Sequence, residues 1–500
     1  MAYHFTRRHF FFGSLLAGAI PVPGFGSVPS LTRLGYRSPN EKLNVASIGA
    51  GGKAASDIKG CATENIVALC DVDDERAARK FNEYEKVPKY KDFRKMLDEQ
   101  GNSIDAVIVT IPDFMHATAA TWCMERGKHV YVQKPLTRTV WEARKLLEAA
   151  NKYKVATQMG NQGYSNEGTR QAAEMIWAGE IGNVTEVHAW TDRPIWPQGL
   201  TEIPPTEPVP STLDWDLWLG IAEKRPYTSG GPDYKSPLNG HFYQPANWRG
   251  FYDFGCGALG DMACHILGAP NLALQLGAPL SVECVHKEGP SSFMFPRKSV
   301  LRYEFPARKS MPPVTLYWYD GMTETPKIQG VPDGELLGDL PESPRDQAAH
   351  WREPRPFTGF IGDVFDYQKF EATSKDPHAM KPRPDGSLFI GDKGMLTTGT
   401  YGEETRLIPV DKMKDYHFPQ PLLTRSPGHY RDWIRACKGG DPACSNFSVA
   451  VPFVEWMLLG VIALRVDGKL EWDADRMRFS NNDEANQYLR PTFRKGWYLT

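Results

Sequence analysis

The spacing of apolar and polar residues changes character several times along the chain, and each change predicts a different element. From residue 43 onward, short apolar runs alternate with stretches of helical period. Residues 43–48, 66–70, 105–110, 129–132 and 156–159 read as short buried strands, and the stretch from 53 to about 60, 115–125 and 139–152 read as helices. Strand and helix in regular turn predict a parallel, doubly wound sheet covered on both faces. Beyond 163 the pattern turns to strands, at 184–190, 280–285, 300–305 and 314–319. Segments 387–390 and 394–396 flank Gly391-Asp392-Lys393 as a hairpin. Apolar stretches at 430–438 and 449–464 predict two helices that close this second domain, while 319–384 is Pro-rich and follows no period.

The first thirty residues follow a different logic. Thr6-Arg7-Arg8-His9-Phe10-Phe11 sets a twin arginine ahead of a short apolar run, which Pro21 and Pro23 interrupt. The run is far below the roughly 20 residues needed to span a bilayer. The segment resembles a twin-arginine export signal, so 1–30 is expected to be an address, 31–41 a linker, and the location periplasmic. The first cysteine is Cys61, which leaves none near the cleavage region to carry a lipid. The apolar stretch 456–464 is too short for a membrane span and reads as a buried helix. Export of this type implies folding around a cofactor before translocation.

Composition narrows the classes further. The 500 residues carry 58 Lys and Arg against 60 Asp and Glu, a net charge of −2, which argues against a nucleic-acid partner. Eight cysteines are too few for a disulfide framework, and Cys437 and Cys444 are expected to be thiols like the rest. Hydrophobic content of 41% is enough for a large core, and length alone implies more than one domain.

The candidate chemistry begins at the end of the first strand. Gly49-Ala50-Gly51-Gly52-Lys53-Ala54 is a G-x-G-x-x-A turn between a strand and a helix. Glycines suit this place because the turn is tight and the backbone must approach a pyrophosphate with no Cβ between them. The second strand ends in Asp71, where a carboxylate can bind a ribose 2′-hydroxyl and repel a 2′-phosphate, favouring NAD over NADP. This defines a Rossmann domain over 42–162. Its ligand should lie beyond the carboxyl ends of the strands. Three such ends carry polar groups: Pro112, Asp113 and His116 after one strand, Gln133-Lys134-Pro135 after the next, and Gly160-Asn161-Gln162 after the third. On these grounds Gly49, Gly51, Gly52, Ala54, Asp71, Pro112, His116, Gln133 and Asn161 are the candidate cofactor residues.

The glycine turn, the Pro-Asp-x-x-His stretch and the Lys-Pro loop, with Asp261-Met262-Ala263-Cys264-His265 further on, resemble the Gfo/Idh/MocA oxidoreductase family. The likeness covers about residues 41 to 500. It implies that 163–500 is an α+β domain with a large, open, mostly antiparallel sheet serving substrate binding or dimerisation. It also implies that Lys134, Asp261 and His265 line a catalytic site. Their chemistry is coherent. Asp261 and His265, four apart, share one face of a helix. A histidine suits removal of a hydroxyl proton near neutral pH, and a lysine can stabilise the developing oxyanion. Asp261 could orient the imidazole or bind a neighbouring hydroxyl. One position departs from the family, which commonly has Glu where this chain has Gln133. A neutral amide supplies no charge to hold the lysine protonated.

Residues 192–254 form a long irregular stretch with many aromatic residues, including Trp196, Trp215, Trp218, Tyr227, Tyr243, Trp248 and Phe251. Such rings can pack on the C–H faces of sugars or simply on one another. Cys256, Cys264 and His265 lack the spacing of a zinc site, so no metal is expected. The reading is an NAD-dependent oxidoreductase acting on a secondary alcohol of a sugar or sugar derivative, NADP being second choice, in a homo-oligomer. The alternative is an NAD-dependent glycoside hydrolase or lyase that oxidises its sugar transiently, eliminates, and returns the hydride within the site.

Overall fold

A computed structural model describes residues 41–231, 234, 240–340, 365–375 and 384–499. The export segment and nearly all of the linker expected at 31–41 lie outside the described residues.

The first sheet has six parallel strands: β1 (Asn44–Ile48), β2 (Asn65–Cys70), β3 (Lys89–Tyr90), β4 (Ala106–Val109), β5 (His129–Val132) and β6 (Thr157–Met159). Their order is β3-β2-β1-β4-β5-β6, the doubly wound arrangement whose chain reversal lies between β1 and β4. Strands β1, β4, β5 and β6 are buried almost throughout, which explains their continuous apolar runs, while β2 is buried at its carboxyl half and the edge strand β3 is half-buried. Helices Lys53–Gly60, Asp74–Glu83, Phe93–Gln100, Asp113–Glu125 and Val140–Tyr153 connect them. Thr139 caps the last of these in a reciprocal box with Glu142.

Among the described residues the second sheet has nine strands in the order β13-β12-β11-β7-β10-β9-β8-β14-β15. These are β7 (Val184–Trp190), β8 (Ser281–Glu288), β9 (Lys298–Phe305), β10 (Val314–Asp320), β11 (Gly386–Gly391), β12 (Gly394–Thr398), β13 (Arg406–Ile408), β14 (Leu470–Asp473) and β15 (Arg478–Phe479). Among the described strands only β7 and β10 pair in parallel, so the sheet is mixed and mostly antiparallel. Strands β9 and β10 alternate cleanly between buried and half-exposed positions. Their buried face, with Tyr303 and Phe305, packs on Trp456 of the apolar helix Phe447–Ala463.

One predicted helix packs elsewhere than expected. Helix His429–Cys437 does not close the second domain. Tyr430, Trp433, Ile434 and Cys437 lie at helical spacing and join Leu43, Val45, Ile58 and Tyr131 in the core of the nucleotide domain. The contact is close enough that a Cβ on Gly60 would meet the Tyr430 ring at 2.4 Å. All eight cysteines are free thiols. Among the described residues no helix is long and apolar enough to cross a membrane, and no cluster of potential metal ligands occurs.

Candidate active site

A cleft of about 770 Å³ runs along the carboxyl ends of β1, β2, β4 and β5, as the doubly wound topology requires. One end is the glycine turn. Gly49 sits at φ 97°, and a Cβ there would come within 2.1 Å of the Thr110 carbonyl oxygen. A Cβ on Gly51 would lie 2.7 Å from the Arg76 carbonyl oxygen. Both glycines are therefore demanded by close packing of backbone. Asp71 Oδ2 accepts the backbone N–H groups of Ala50 (2.8 Å) and Gly51 (3.1 Å), and Oδ1 accepts that of Asp73. Burial pushes the Asp71 carboxyl above its ordinary pKa. Arg76, Arg79, Lys80 and Lys91 line the same end, so the acidic strand end has basic neighbours.

The other end holds Lys134. Its Nζ donates to Asp261 Oδ1 at 2.8 Å and to the Asp261 carbonyl at 2.7 Å. Arg249 Nε donates to the same Oδ1 at 3.0 Å. Burial alone would raise the Asp261 pKa, but Lys134 and Arg249 outweigh it and hold the carboxyl well below the usual carboxylate range. Asp113 behaves oppositely. It stands in the first turn of its helix at the end of β4, and burial pushes it up to about 7 despite Arg249 and Lys134 nearby. Arg193, Trp196, Trp248, Tyr401 and Tyr430 complete this end.

The departure at Gln133 has a local explanation. Its amide Nε2 donates to both oxygens of Asp57, at 3.2 and 3.0 Å. Asp57 is fully buried on the helix after the glycine turn and also accepts from Lys53 Nζ (2.5 Å), Thr110 Oγ1 (2.8 Å) and the Tyr430 hydroxyl (2.7 Å). A carboxylate at 133 would face another carboxylate. The negative charge that holds Lys134 comes instead from Asp261.

The predicted residues thus fall into two groups. Gly49, Gly51, Gly52, Asp71, Pro112, Gln133, Lys134 and Asp261 line the cleft together. Ala54, His116, Asn161 and His265 lie behind its wall, all buried. His116 is fixed between two carbonyls, Nδ1 at 2.8 Å from Pro135 and Nε2 at 2.7 Å from Ile111, and burial lowers its pKa to about 4. It ties the Lys-Pro loop to the end of β4 and does not face the cleft. Asn161 Oδ1 accepts from the Ser445 hydroxyl at 2.5 Å. His265 shares helix Gly257–Ile266 with Asp261, but Asp261 is engaged by Lys134 and Arg249 and does not orient the imidazole. Neither ring nitrogen of His265 has a hydrogen-bond partner among the described residues. Burial, with Lys134 adding to it, holds the ring neutral well below its ordinary pKa. Tyr401, on the cleft wall, packs edge-on against it with ring centroids 4.7 Å apart.

Sequence reasoning did not find Arg193, Arg249, Asp113 or Tyr401 as site residues. Asp113 was visible, because it opens a helix at a strand end. Arg193 and Tyr401 lie in irregular segments and Arg249 in the short 3-10 helix Asn247–Gly250, and the position of all three is set by tertiary contacts.

A family model described as an oxidoreductase family with an NAD-binding Rossmann fold matches residues 43–161. The model of its C-terminal alpha/beta domain matches residues 177–286. Among curated proteins, the inositol 2-dehydrogenase of Salmonella typhimurium is 30% identical over 125 residues, which are 25% of this chain and 37% of that protein. A glycosyl hydrolase family 109 protein of Solibacter usitatus is 26% identical over 175 residues, covering 32% of this chain and 39% of that protein. The chain therefore spans less than two fifths of the length of either relative. Among solved structures, the WlbA dehydrogenase of Bordetella pertussis, in complex with NADH and UDP-GlcNAcA, has a TM-score of 0.54 at 15% identity, covering 87% of this chain and 100% of that one. That likeness is one of fold.

Proposed function

Because this chain belongs to the Gfo/Idh/MocA oxidoreductase family, we propose that it is an NAD-dependent oxidoreductase of a secondary alcohol on a sugar or sugar-like polyol. The observation that carries this reading is a single cleft with the glycine turn and Asp71 at one end and the Lys134–Asp261 pair at the other. The residues present fit a dinucleotide. The backbone at Gly49 and Gly51 leaves no room for a Cβ, and a polar strand end lies beside it. A bound nicotinamide supplies the hydride acceptor.

The chain's own residues handle the proton and the charge. Lys134, aimed by two contacts to Asp261, meets the substrate oxygen and stabilises the negative charge that develops as the O–H bond breaks. Asp261, kept ionised by Lys134 and Arg249, cannot take that proton at neutral pH. We assign proton removal to His265, which lies behind the cleft wall with its ring 4.7 Å from that of Tyr401, so that Tyr401 must turn aside for a ring nitrogen to reach the substrate; burial keeps the imidazole neutral and neither nitrogen has a partner among the described residues. Asp113, pushed up to about 7 by burial on the cleft wall, is the group to which we assign a second ionisation in the pH profile. A neutral sugar is the substrate class this reading favours, with Asp261 shared between Lys134 and Arg249 and offsetting one of their two charges. The pair Arg7-Arg8 supports export to the periplasm, where the nucleotide must stay bound and the hydride must return within the same site. The half-exposed face of β9 and β10 is where we place contact between subunits in a homo-oligomer.

The glycosidase reading is favoured by one relative, the glycosyl hydrolase family 109 protein, and by Asp113, a carboxyl that carries a proton near neutral pH. Purified protein separates the two. Absorbance reports bound NAD(H), and sugars, polyols and aryl glycosides are then offered in turn. Reduction of the cofactor without release of the aryl group supports the oxidoreductase, and release with no net NADH supports the glycosidase. If no nucleotide binds, and His265→Ala changes no activity, both readings fail.

A further inference from the structure

Asp57 is a buried carboxylate that the proposed reaction does not use. It is fully enclosed on helix Lys53–Gly60, close behind the glycine turn. An ionised carboxylate offers acceptors only, and donors converge on both of its oxygens. Lys53 Nζ, the Tyr430 hydroxyl and Gln133 Nε2 donate to Oδ1, while Thr110 Oγ1 and Gln133 Nε2 donate to Oδ2. Stability alone is a weak reason for such a group, because a buried ion pair seldom outdoes well-packed apolar side chains of the same volume.

A stronger reason lies in Gln133. An amide side chain has one donating end and one accepting end. Because Asp57 can only accept, Gln133 must turn Nε2 toward it, 3.0 Å from Oδ2. Oε1 is thereby turned the other way, where it accepts the backbone N–H of Lys134 at 3.2 Å. The amide is packed tightly in this place, since a Cβ on Gly160 would lie 2.7 Å from its Cδ. At the far end of the same lysine, Nζ donates to Asp261 Oδ1 at 2.8 Å. Lys134 is thus held at both ends, by Asp261 at its ammonium and by Asp57, through Gln133, at its backbone. Lys53 joins the same carboxylate to the start of the helix that follows the glycine turn.

We propose that Asp57 is a positioning residue for Lys134, dictating which way the Gln133 amide faces and so fixing the backbone from which the lysine reaches the substrate. The inference rests on the oxidoreductase reading and adds to it a residue that touches neither substrate nor cofactor. In Asp57→Asn the remaining oxygen stays with Lys53, and the new amide nitrogen takes the place of Oδ2, opposite Gln133 Nε2. Gln133 answers by turning its amide over. Its nitrogen then meets the Lys134 N–H, donor against donor, and that bond is lost. A misplacement of about 1 Å can cost roughly a hundredfold in rate, so kcat should fall about ten- to a hundredfold. Combining Asp57→Asn with Gln133→Glu repairs the loss, because a carboxylate at 133 accepts from the amide at 57 and from the Lys134 N–H together.

The test compares wild type, Asp57→Asn, the Asp57→Asn/Gln133→Glu pair, Lys134→Ala, and Lys134→Ala carrying Asp57→Asn. Hydrogen exchange read by mass spectrometry follows the Lys134 amide without any substrate. Kinetics use NAD with whichever of D-glucose, D-galactose, D-xylose and myo-inositol the wild type oxidises fastest, and titration gives NADH affinity. Asp57→Asn should exchange the Lys134 amide about two- to tenfold faster, the worth of one net hydrogen bond. It should lower kcat as stated while KM and NADH affinity stay within a fewfold. The pair of substitutions should return exchange and kcat toward wild type, and Asp57→Asn should cost nothing further in Lys134→Ala. An unchanged kcat in Asp57→Asn, an equal loss in the Lys134→Ala background, or no recovery in the pair overturns the positioning role and leaves the oxidoreductase reading intact. A parallel loss of NADH affinity marks general damage to the fold and overturns it as well. A wild type that binds no NADH and oxidises none of the four overturns the oxidoreductase reading and this role with it.

Discussion

Replacing Gln133 by Glu, the residue common in the family at this position, should destabilise this protein, and by an amount that depends on pH. The Gln133 amide nitrogen lies 3.0 Å from Asp57 Oδ2, and Asp57 is fully buried. A carboxylate there would put two negative charges about 4 Å apart, a repulsion of roughly 4 kcal/mol at an effective dielectric of 20. The pair can escape by binding one proton. For a carboxyl with an ordinary pKa of about 4.3 that costs 1.36 kcal/mol per pH unit, again about 4 kcal/mol at pH 7. Lys53, whose Nζ is 2.5 Å from Asp57, offsets part of this, so about 2–4 kcal/mol is expected. The folded pair would bind a proton that the unfolded chain has lost, so stability falls as pH rises above the ordinary carboxyl range. The deficit of Gln133→Glu against wild type should therefore shrink by about 1.4 kcal/mol for each pH unit from 7 toward 5. Thermal and urea midpoints across pH 5–8 measure it, and adding Asp57→Asn should restore most of the loss. A deficit that stays constant with pH, or that Asp57→Asn does not relieve, would refute the reasoning.

Three further outcomes follow from the geometry. Lys134→Ala should cut kcat by about 10²- to 10⁴-fold while leaving NADH affinity within a fewfold, because the side chain reaches Asp261 (2.8 Å) and, in the proposed reaction, the substrate oxygen, and does not bond the glycine turn; rapid kinetics with direct NADH titration checks both. Asp113, raised by burial to about 7, is destabilising above its ordinary range near 3.9, increasingly so until about pH 7. Asp113→Asn should accordingly gain stability relative to wild type as pH rises from 5 to 8, and its pH–rate profile should lose the ionisation near 7. Gly51→Ala should abolish nucleotide binding, measured by titration, since its Cβ would sit 2.7 Å from a backbone carbonyl oxygen that has no freedom to retreat.

The parts of this molecule that were legible in the sequence are those where neighbours in space are neighbours in the chain. The glycine turn, Asp71 and the Lys-Pro loop each sit at the end of a short apolar run, and the doubly wound topology carries every such end to one edge of the sheet. Asp261 and His265 announced themselves by their spacing on one helix. Spacing could not show that Lys134 and Arg249 would take Asp261 and leave His265 without a partner among the described residues, because that depends on residues 127 and 12 positions away from the carboxylate. Helix His429–Cys437 was legible as a helix, yet its partner was not, since an apolar stripe says that a face is buried and not against what. Asp57 was hidden for a related reason. It occupies an inward position on a helix where pattern calls for an apolar residue, and only the convergence of Lys53, Thr110, Gln133 and Tyr430 explains a carboxylate there.

The aromatic stretch at 192–254 shows how far composition can mislead about a substrate. Phe242, Tyr243, Phe251 and Phe254 are almost fully buried and pack on one another, and Tyr227, equally buried, packs edge to face on Trp215, so they are core. Trp196 and Trp248 do line the cleft, but they are only 5% and 6% exposed, which leaves little ring face for a sugar. The Arg249 guanidinium lies 4.3 Å from the Trp248 ring centroid and 5.8 Å from that of Trp196, while its Nε reaches Asp261 at 3.0 Å. The two indoles therefore aim Arg249, which fixes Asp261, which in turn fixes Lys134. A cation over an indole contributes about 0.5–2 kcal/mol, enough to shift this chain when it is removed. Trp248→Leu should lower kcat several-fold with little change in KM, and the same change made on top of Arg249→Ala should have almost no further effect. If Trp248→Leu instead raises KM equally with and without Arg249, the ring binds the sugar directly and does not act through Arg249.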